Sequence, residues 1–161
     1  MSAIISVDGM YRYYLHRLLV TGTGRACWIM LNPSTADAVY NDPTINRVID
    51  FTRRFGCREV EVVNLYAYRT SKPTELWNAY KENFNIVGPE NDTHIMQVIS
   101  RSSLAICAWG AIPVNARKRA QSIIDTIRNV GKRPYVLKLN QDGSPQHPLF
   151  VPGHTLLREL K

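Results

Sequence analysis

Two short stretches carry most of the residues able to do chemistry. WIMLNPSTAD, from Trp28 to Asp37, is an apolar run that breaks at Asn32-Pro33 and then releases Ser34, Thr35 and Asp37. QHPLF, from Gln146 to Phe150, sets His147 just beyond a second apolar run, RPYVLKL. A carboxamide such as that of Asn32 can orient a water molecule but is a poor general base. A neutral imidazole such as that of His147 can donate a hydrogen bond to a developing anion once its tautomer is fixed. Asn64 closes EVEVVN, which alternates and then turns apolar, and offers a donor and an acceptor side by side. Plainer roles fit the same residues. Asn32 and Asn64 could each serve a turn, and His147 could be a surface histidine packed by Pro148. Asp42 suits a helix N-cap, while Asp37 or Asp42 could supply a carboxylate beside Asn32.

These side chains act together only if the strand ends that carry them meet. A residue before proline is pushed out of helical space, and the proline itself cannot continue a ladder. Strands are therefore expected at 27–31, 60–64, 104–108 and 134–139. Between them lie helical patterns: one capped by Asp42-Pro43 and closed by Gly56, then 75–82, 93–101, 114–130 and a short last one at 155–160. Tyr11 to Val20 is expected to pair with ACWIML as an N-terminal antiparallel hairpin across the TGTG turn. Strand–helix alternation predicts an α/β fold, a three-layer α/β/α arrangement with a mostly parallel central sheet, in one domain spanning 1–161. In such sheets, sites form at the carboxyl ends of the strands. Asn32, Asn64 and His147 are accordingly expected to line one pocket.

Composition narrows the partners. The formal charge is +7, from 20 Lys+Arg against 13 Asp+Glu. Many of the cations, among them Arg47, Arg69 and Lys72, fall near element ends. That balance suits DNA or RNA, or simply a solvated basic surface. No apolar run is long enough to span a bilayer and the N-terminus lacks a signal-peptide pattern, so a cytoplasmic location without membrane contact is expected. Cys27, Cys57 and Cys107 are expected as buried, unpaired thiols. No CxxC or HxH spacing appears, so neither a metal nor another cofactor is expected. A monomer is favoured.

The motif order resembles the uracil-DNA glycosylase superfamily. LNPSTAD is similar to the first catalytic motif of its mismatch-specific branch. DPTINRVIDFTRRFG is similar to the helix after that motif, VVNLYAYRTSKPTEL to the stretch with the base-reading Asn, LAICAWGA to the strand ending in Gly-x-Ala, and QHPLF to the second catalytic motif. The combination NPSTADA, DPTI, AWG and HPLF also resembles an uncharacterised bacterial and phage family known as a domain of unknown function.

The resemblance implies a glycosylase-like fold and a monofunctional DNA glycosylase that flips a base out of DNA. Asn32 would position water, with Asp37 as a supporting carboxylate, and His147 would stabilise the departing base. Asn64 would read the base, with Tyr66, Trp109 and Phe150 stacking on base or sugar. Ser34, Thr35, Arg47, Arg69 and Lys72 would bind phosphate. Leu31 stands where the superfamily has a small residue, Ser34-Thr35 replaces Gly, and Leu149-Phe150 follows His-Pro in place of Ser. These departures point away from uracil and toward a bulkier modified base, such as a hypermodified phage pyrimidine, in antiviral defence or DNA repair. Two further classes fit the same residues: a metabolic enzyme that binds a nucleoside or nucleotide, and an inert nucleic-acid-binding module.

Overall fold

Segments that are apolar on both faces can be buried only inside a sheet covered on both sides. The computed structural model, which describes residues 1–161, puts them there. Its strands are β1 (Ser2–Ile5), β2 (Arg12–Leu18), β3 (Arg25–Met30), β4 (Glu59–Asn64), β5 (Leu104–Cys107), β6 (Pro134–Val136) and β7 (Arg158–Glu159). They form one seven-stranded sheet in the order β1-β2-β4-β3-β5-β6-β7. β4, β3, β5 and β6 run parallel, while β1, β2 and β7 pair antiparallel at the two sides. The sheet is thus mixed, with the parallel part confined to its centre.

Four α-helices cover the faces: α1 (Pro43–Arg54), α2 (Pro73–Lys81), α3 (Asn91–Arg101) and α4 (Arg117–Asn129). α1 buries Ile45, Val48 and Phe51 against Trp28, Val60, Val62 and Ile106 on one face. On the other, α3 and α4 bury Ile95, Val98, Ile99, Ala120, Ile123 and Ile127 against Cys27, Ile29, Val63 and Cys107. The start of α1 is a local event. The Asp42 carboxylate accepts a hydrogen bond from Ile45 N–H at 2.8 Å, and Pro43 occupies the first turn. All three cysteines are buried and unpaired, and burial pushes the Cys27, Cys57 and Cys107 thiols up.

Three expectations need correction. An N-terminal antiparallel hairpin is present, but its strands are β1 and β2. β2 does not pair with β3, because β4 lies between them with Leu15 opposite Val62. The TGTG segment instead packs on the turn after α1. Gly22 (φ +102°) leaves no room there for a Cβ, which would meet the Gly56 carbonyl oxygen at 2.6 Å. The segment expected as a last helix forms β7, where Leu160 N–H donates to the Pro134 carbonyl. So short a helix cannot offset its nucleation cost, whereas the open edge of β6 offers ready partners. The segment expected as a helix from 114 opens as a 3-10 turn, Val114–Ala116, before α4.

No regular element spans Leu31 to Asn41, and β2 holds that loop. Arg17, 2% exposed, donates to the Asn41 side chain at 2.7 Å and to the carbonyls of Asp37 and Tyr40. Replacing it with methionine keeps the aliphatic stem and removes these donors. Arg17→Met is expected to cost about 2–3 kcal/mol in chemical denaturation. Amide exchange should quicken at Val39 and Tyr40 well before the sheet opens, whereas uniform exchange across the chain would contradict this role for Arg17.

Candidate functional site

The parallel strands end on one edge, and β2, running opposite, begins there. A cavity of about 560 Å³ opens at that edge. Its lining includes Asn32 after β3, Asn64 at the end of β4, Trp109 and Gly110 after β5, and Gln146 and His147 after β6. Arg12 enters from β2, Asp42 from the cap of α1 and Trp77 from α2. Register explains the meeting: Met30 lies opposite Asn64, and Ile29 opposite Cys107.

Each polar group has a defined state. Asn32 Nδ2 donates to the carbonyl of Thr70 at 2.9 Å, with those of Pro33 and Tyr68 at 3.2 and 3.3 Å. Three carbonyls around one end of the amide assign that end as the nitrogen. Its Oδ1 has no partner in the protein and remains a free acceptor. His147 Nδ1 accepts from Leu149 N–H at 3.3 Å, so the proton of the neutral ring sits on Nε2. Burial lowers the His147 pKa, only partly opposed by the Asp42 charge, and so favours the neutral ring. Asn64 is 1% exposed, and neither its Nδ2 nor its Oδ1 has a protein partner. Trp109 Nε1 and Gln146 Oε1 are likewise buried and unpartnered.

The backbone that carries Asn64 is pinned from the helices behind it. Asn91 Nδ2 donates to the Asn64 carbonyl at 3.0 Å, and Arg119 Nε to that of Leu65 at 3.0 Å. Arg47 of α1 donates to the Val151 carbonyl at 2.6 Å and ties the turn after His147 to the helix. Gly110 (φ +79°) sits so close to His147 that a Cβ there would lie 3.4 Å from the histidine Cβ.

Of the residues singled out in the sequence, Asn32, Ser34, Asn64, Trp109, His147 and Phe150 line the cavity. Phe150 is 74% exposed at its rim, its ring 5.8 Å from that of His147. Six others lie elsewhere. The Asp37 carboxylate accepts from Val39 and Tyr40 N–H and closes a turn of its own loop, which holds its pKa low. Asp42 is the carboxylate that reaches the cavity, with one oxygen capping α1. Tyr66 is buried and meets Trp77 edge-on at 5.6 Å, and it is Trp77 that lines the cavity. Thr35 is exposed outside it. Arg47 is engaged as a tie, Arg69 donates to the Gly9 carbonyl, and Lys72 pairs with Glu75 at 3.6 Å in solvent.

Sequence reading missed Arg12, Trp77 and Gln146. Arg12 opens the strand RYYLHRL, where a buried cation marks either a tie or a site. No group of three or more His, Cys, Asp or Glu is placed to hold a metal ion, and no helix is long and apolar enough to cross a membrane.

Residues 12–149 match the model of a family described as "Protein of unknown function (DUF1643)". No curated protein and no solved structure matches the chain, so the glycosylase resemblance rests on the motifs alone.

The state of His147 has a consequence for pH. Its folded pKa lies below the ordinary value near 6.5, so above that pH the ring is neutral in both folded and unfolded chains. As pH falls below about 6.5 the unfolded chain takes up its proton first, and this contribution to stability is lost down to the folded pKa. Imidazole NMR should place the His147 midpoint below about 6.5, and His147→Asn should remove part of the acid-side loss of stability. A midpoint at or above the free value would contradict the buried, neutral ring.

Proposed function

The chain belongs to the DUF1643 family, and we propose that its cavity takes in a modified nucleobase and hydrolyses the N-glycosidic bond that joins that base to DNA. One observation carries this reading: the Asn64 carboxamide, fully buried at the cavity wall, keeps both its donor and its acceptor free. An adjacent donor and acceptor match the amide-like edge of a base. Trp109 Nε1 adds a second donor and Gln146 Oε1 a second acceptor, while Trp77 supplies a ring for stacking.

The other groups supply the proposed chemistry. The bond from C1′ to the base nitrogen breaks and its electron pair leaves with the base. His147 Nε2–H donates to the base oxygen on which that charge collects. Water adds to C1′, held by Asn32 Oδ1, and its proton passes to the free oxygen of Asp42 or to solvent. Of the two carboxylates considered from the sequence, Asp37 and Asp42, this reading uses Asp42. The resemblance of LNPSTAD and QHPLF to the glycosylase superfamily supports the same assignment.

A second reading has its own support. Arg47 and Lys72 are engaged within the chain, while the cavity holds an arginine of its own. A metabolic enzyme that acts on free nucleotides would need no basic rim for a duplex. Assaying free nucleosides and nucleotides beside DNA separates the two.

The direct test is single-turnover excision from a panel of DNAs with modified bases, read as abasic sites. Asn32→Ala is expected to lower the rate about 10²–10⁴-fold with DNA affinity retained. His147→Ala should lower it about 10²–10³-fold, less for bases that leave easily. Asn64→Ala should blunt discrimination among bases. Wild-type rates in both Asn32→Ala and His147→Ala would overturn the assignment.

A further inference from the structure

Arg12 and Arg17 leave the same strand, and each is 2% exposed. They differ in how their donors are satisfied. Arg17 donates to Asn41 Oδ1 and to the carbonyls of His16, Asp37 and Tyr40, so Nε and both terminal nitrogens are in use. Arg12 makes one hydrogen bond, from Nη1 to the Ala36 carbonyl at 2.6 Å. Its Nε is buried without a partner, and it forms no ion pair. Arg17 is a saturated clip, whereas Arg12 lines the cavity with donors to spare.

The surrounding charge does not neutralise it. Arg12 feels Asp42 and Asp37 as attractive charges and Arg69 and Arg17 as repulsive ones. The Asp37 carboxylate is held in its own turn by Val39 and Tyr40 N–H. Burial pulls the Arg12 pKa down to about 10, so the guanidinium is still charged at neutral pH. A buried cation without a paired anion is costly, and a guanidinium with open N–H groups is shaped to take a phosphate.

We infer that Arg12 is the oxyanion subsite of this cavity and receives a phosphate of the nucleotide whose base meets Asn64. The inference rests on the nucleobase reading for the ligand's identity, but on Arg12 alone for the anion. One phosphate chemistry has two sources, a free 5′-monophosphate or a phosphodiester in a strand.

The test uses the full chain with four probes: inorganic phosphate, a deoxynucleoside, its 5′-monophosphate, and a short oligonucleotide with one abasic site. Wild type, Arg12→Gln, Arg12→Lys and Asn64→Ala are compared. Phosphate is expected to raise the Tm of wild type and Asn64→Ala, to leave Arg12→Gln unmoved, and to act partially on Arg12→Lys. A phosphate-bearing ligand should bind wild type about tenfold or more tightly than the bare nucleoside, and Arg12→Gln should erase that advantage. An advantage seen only with the monophosphate assigns a free nucleotide, and one seen only with the oligonucleotide assigns a strand. Should Arg12→Gln not fold, the Arg12 Nε–H resonance of wild type serves instead, since it should shift and exchange more slowly on adding phosphate. A phosphate response without any base preference lost in Asn64→Ala leaves the anion site standing and removes the nucleobase reading. No phosphate response in Tm or in the Nε–H resonance, or an advantage that survives in Arg12→Gln, overturns the inference.

Discussion

The site depends on one constraint: Pro33 ends the β3 ladder, and the chain must then reach Asp42 with no regular element to satisfy its backbone. Carbonyls that lie against a core need partners. Arg17 supplies them to Asp37 and Tyr40, Arg12 to Ala36, and Thr70 N–H to Pro33. Hydrogen bonds from charged donors contribute about 1.5–3 kcal/mol each, enough to select one path for the loop. The cavity wall inherits its geometry from that path. Asn32 can turn only its oxygen away from the three carbonyls that hold its nitrogen, and Asp42 arrives as a helix cap with one oxygen uncommitted.

The central strands and α1 were legible because their signals are local. An apolar run that breaks at Asn-Pro, and an Asp-Pro start closed by Gly56, describe single elements. Pairing is not local. Turn residues in TGTG suggested that β2 folds back on β3, but a turn signal does not say which strand becomes the neighbour, and β2 pairs with β1 and β4. β4, buried from Val60 to Asn64, takes the place between them. The sequence also could not show that the edge of β6 needs covering, which turned residues of helical spacing into β7.

Site residues at strand ends were legible for the same reason: a parallel sheet brings its carboxyl ends together. Those assigned by charge alone were not. Arg47, Arg69 and Lys72 looked alike in the sequence, yet one ties a turn to a helix, one meets a backbone carbonyl and one pairs in solvent. Arg12 went unread because its strand runs antiparallel, so that its amino end, not its carboxyl end, reaches the cavity. Asp37 and Asp42 differ only in the residues after them. Asp37 precedes a turn that uses its carboxylate on two amides, while Asp42 precedes Pro43, and the helix takes just one of its oxygens.

The polar atoms of the cavity say more about selectivity than its volume does. At about 560 Å³ it would admit many small molecules. Asn64 Nδ2 and Oδ1, Trp109 Nε1 and Gln146 Oε1 nevertheless lie buried without protein partners. Each such atom left unpaired costs about 1–3 kcal/mol. A ligand that mates with all of them recovers that cost, and one that lacks a single donor or acceptor leaves an orphan behind. Discrimination of this kind exceeds what a change of one methylene in an apolar pocket achieves. Selectivity in a cavity lined this way would follow the order of donors and acceptors on the ligand more than its apolar bulk.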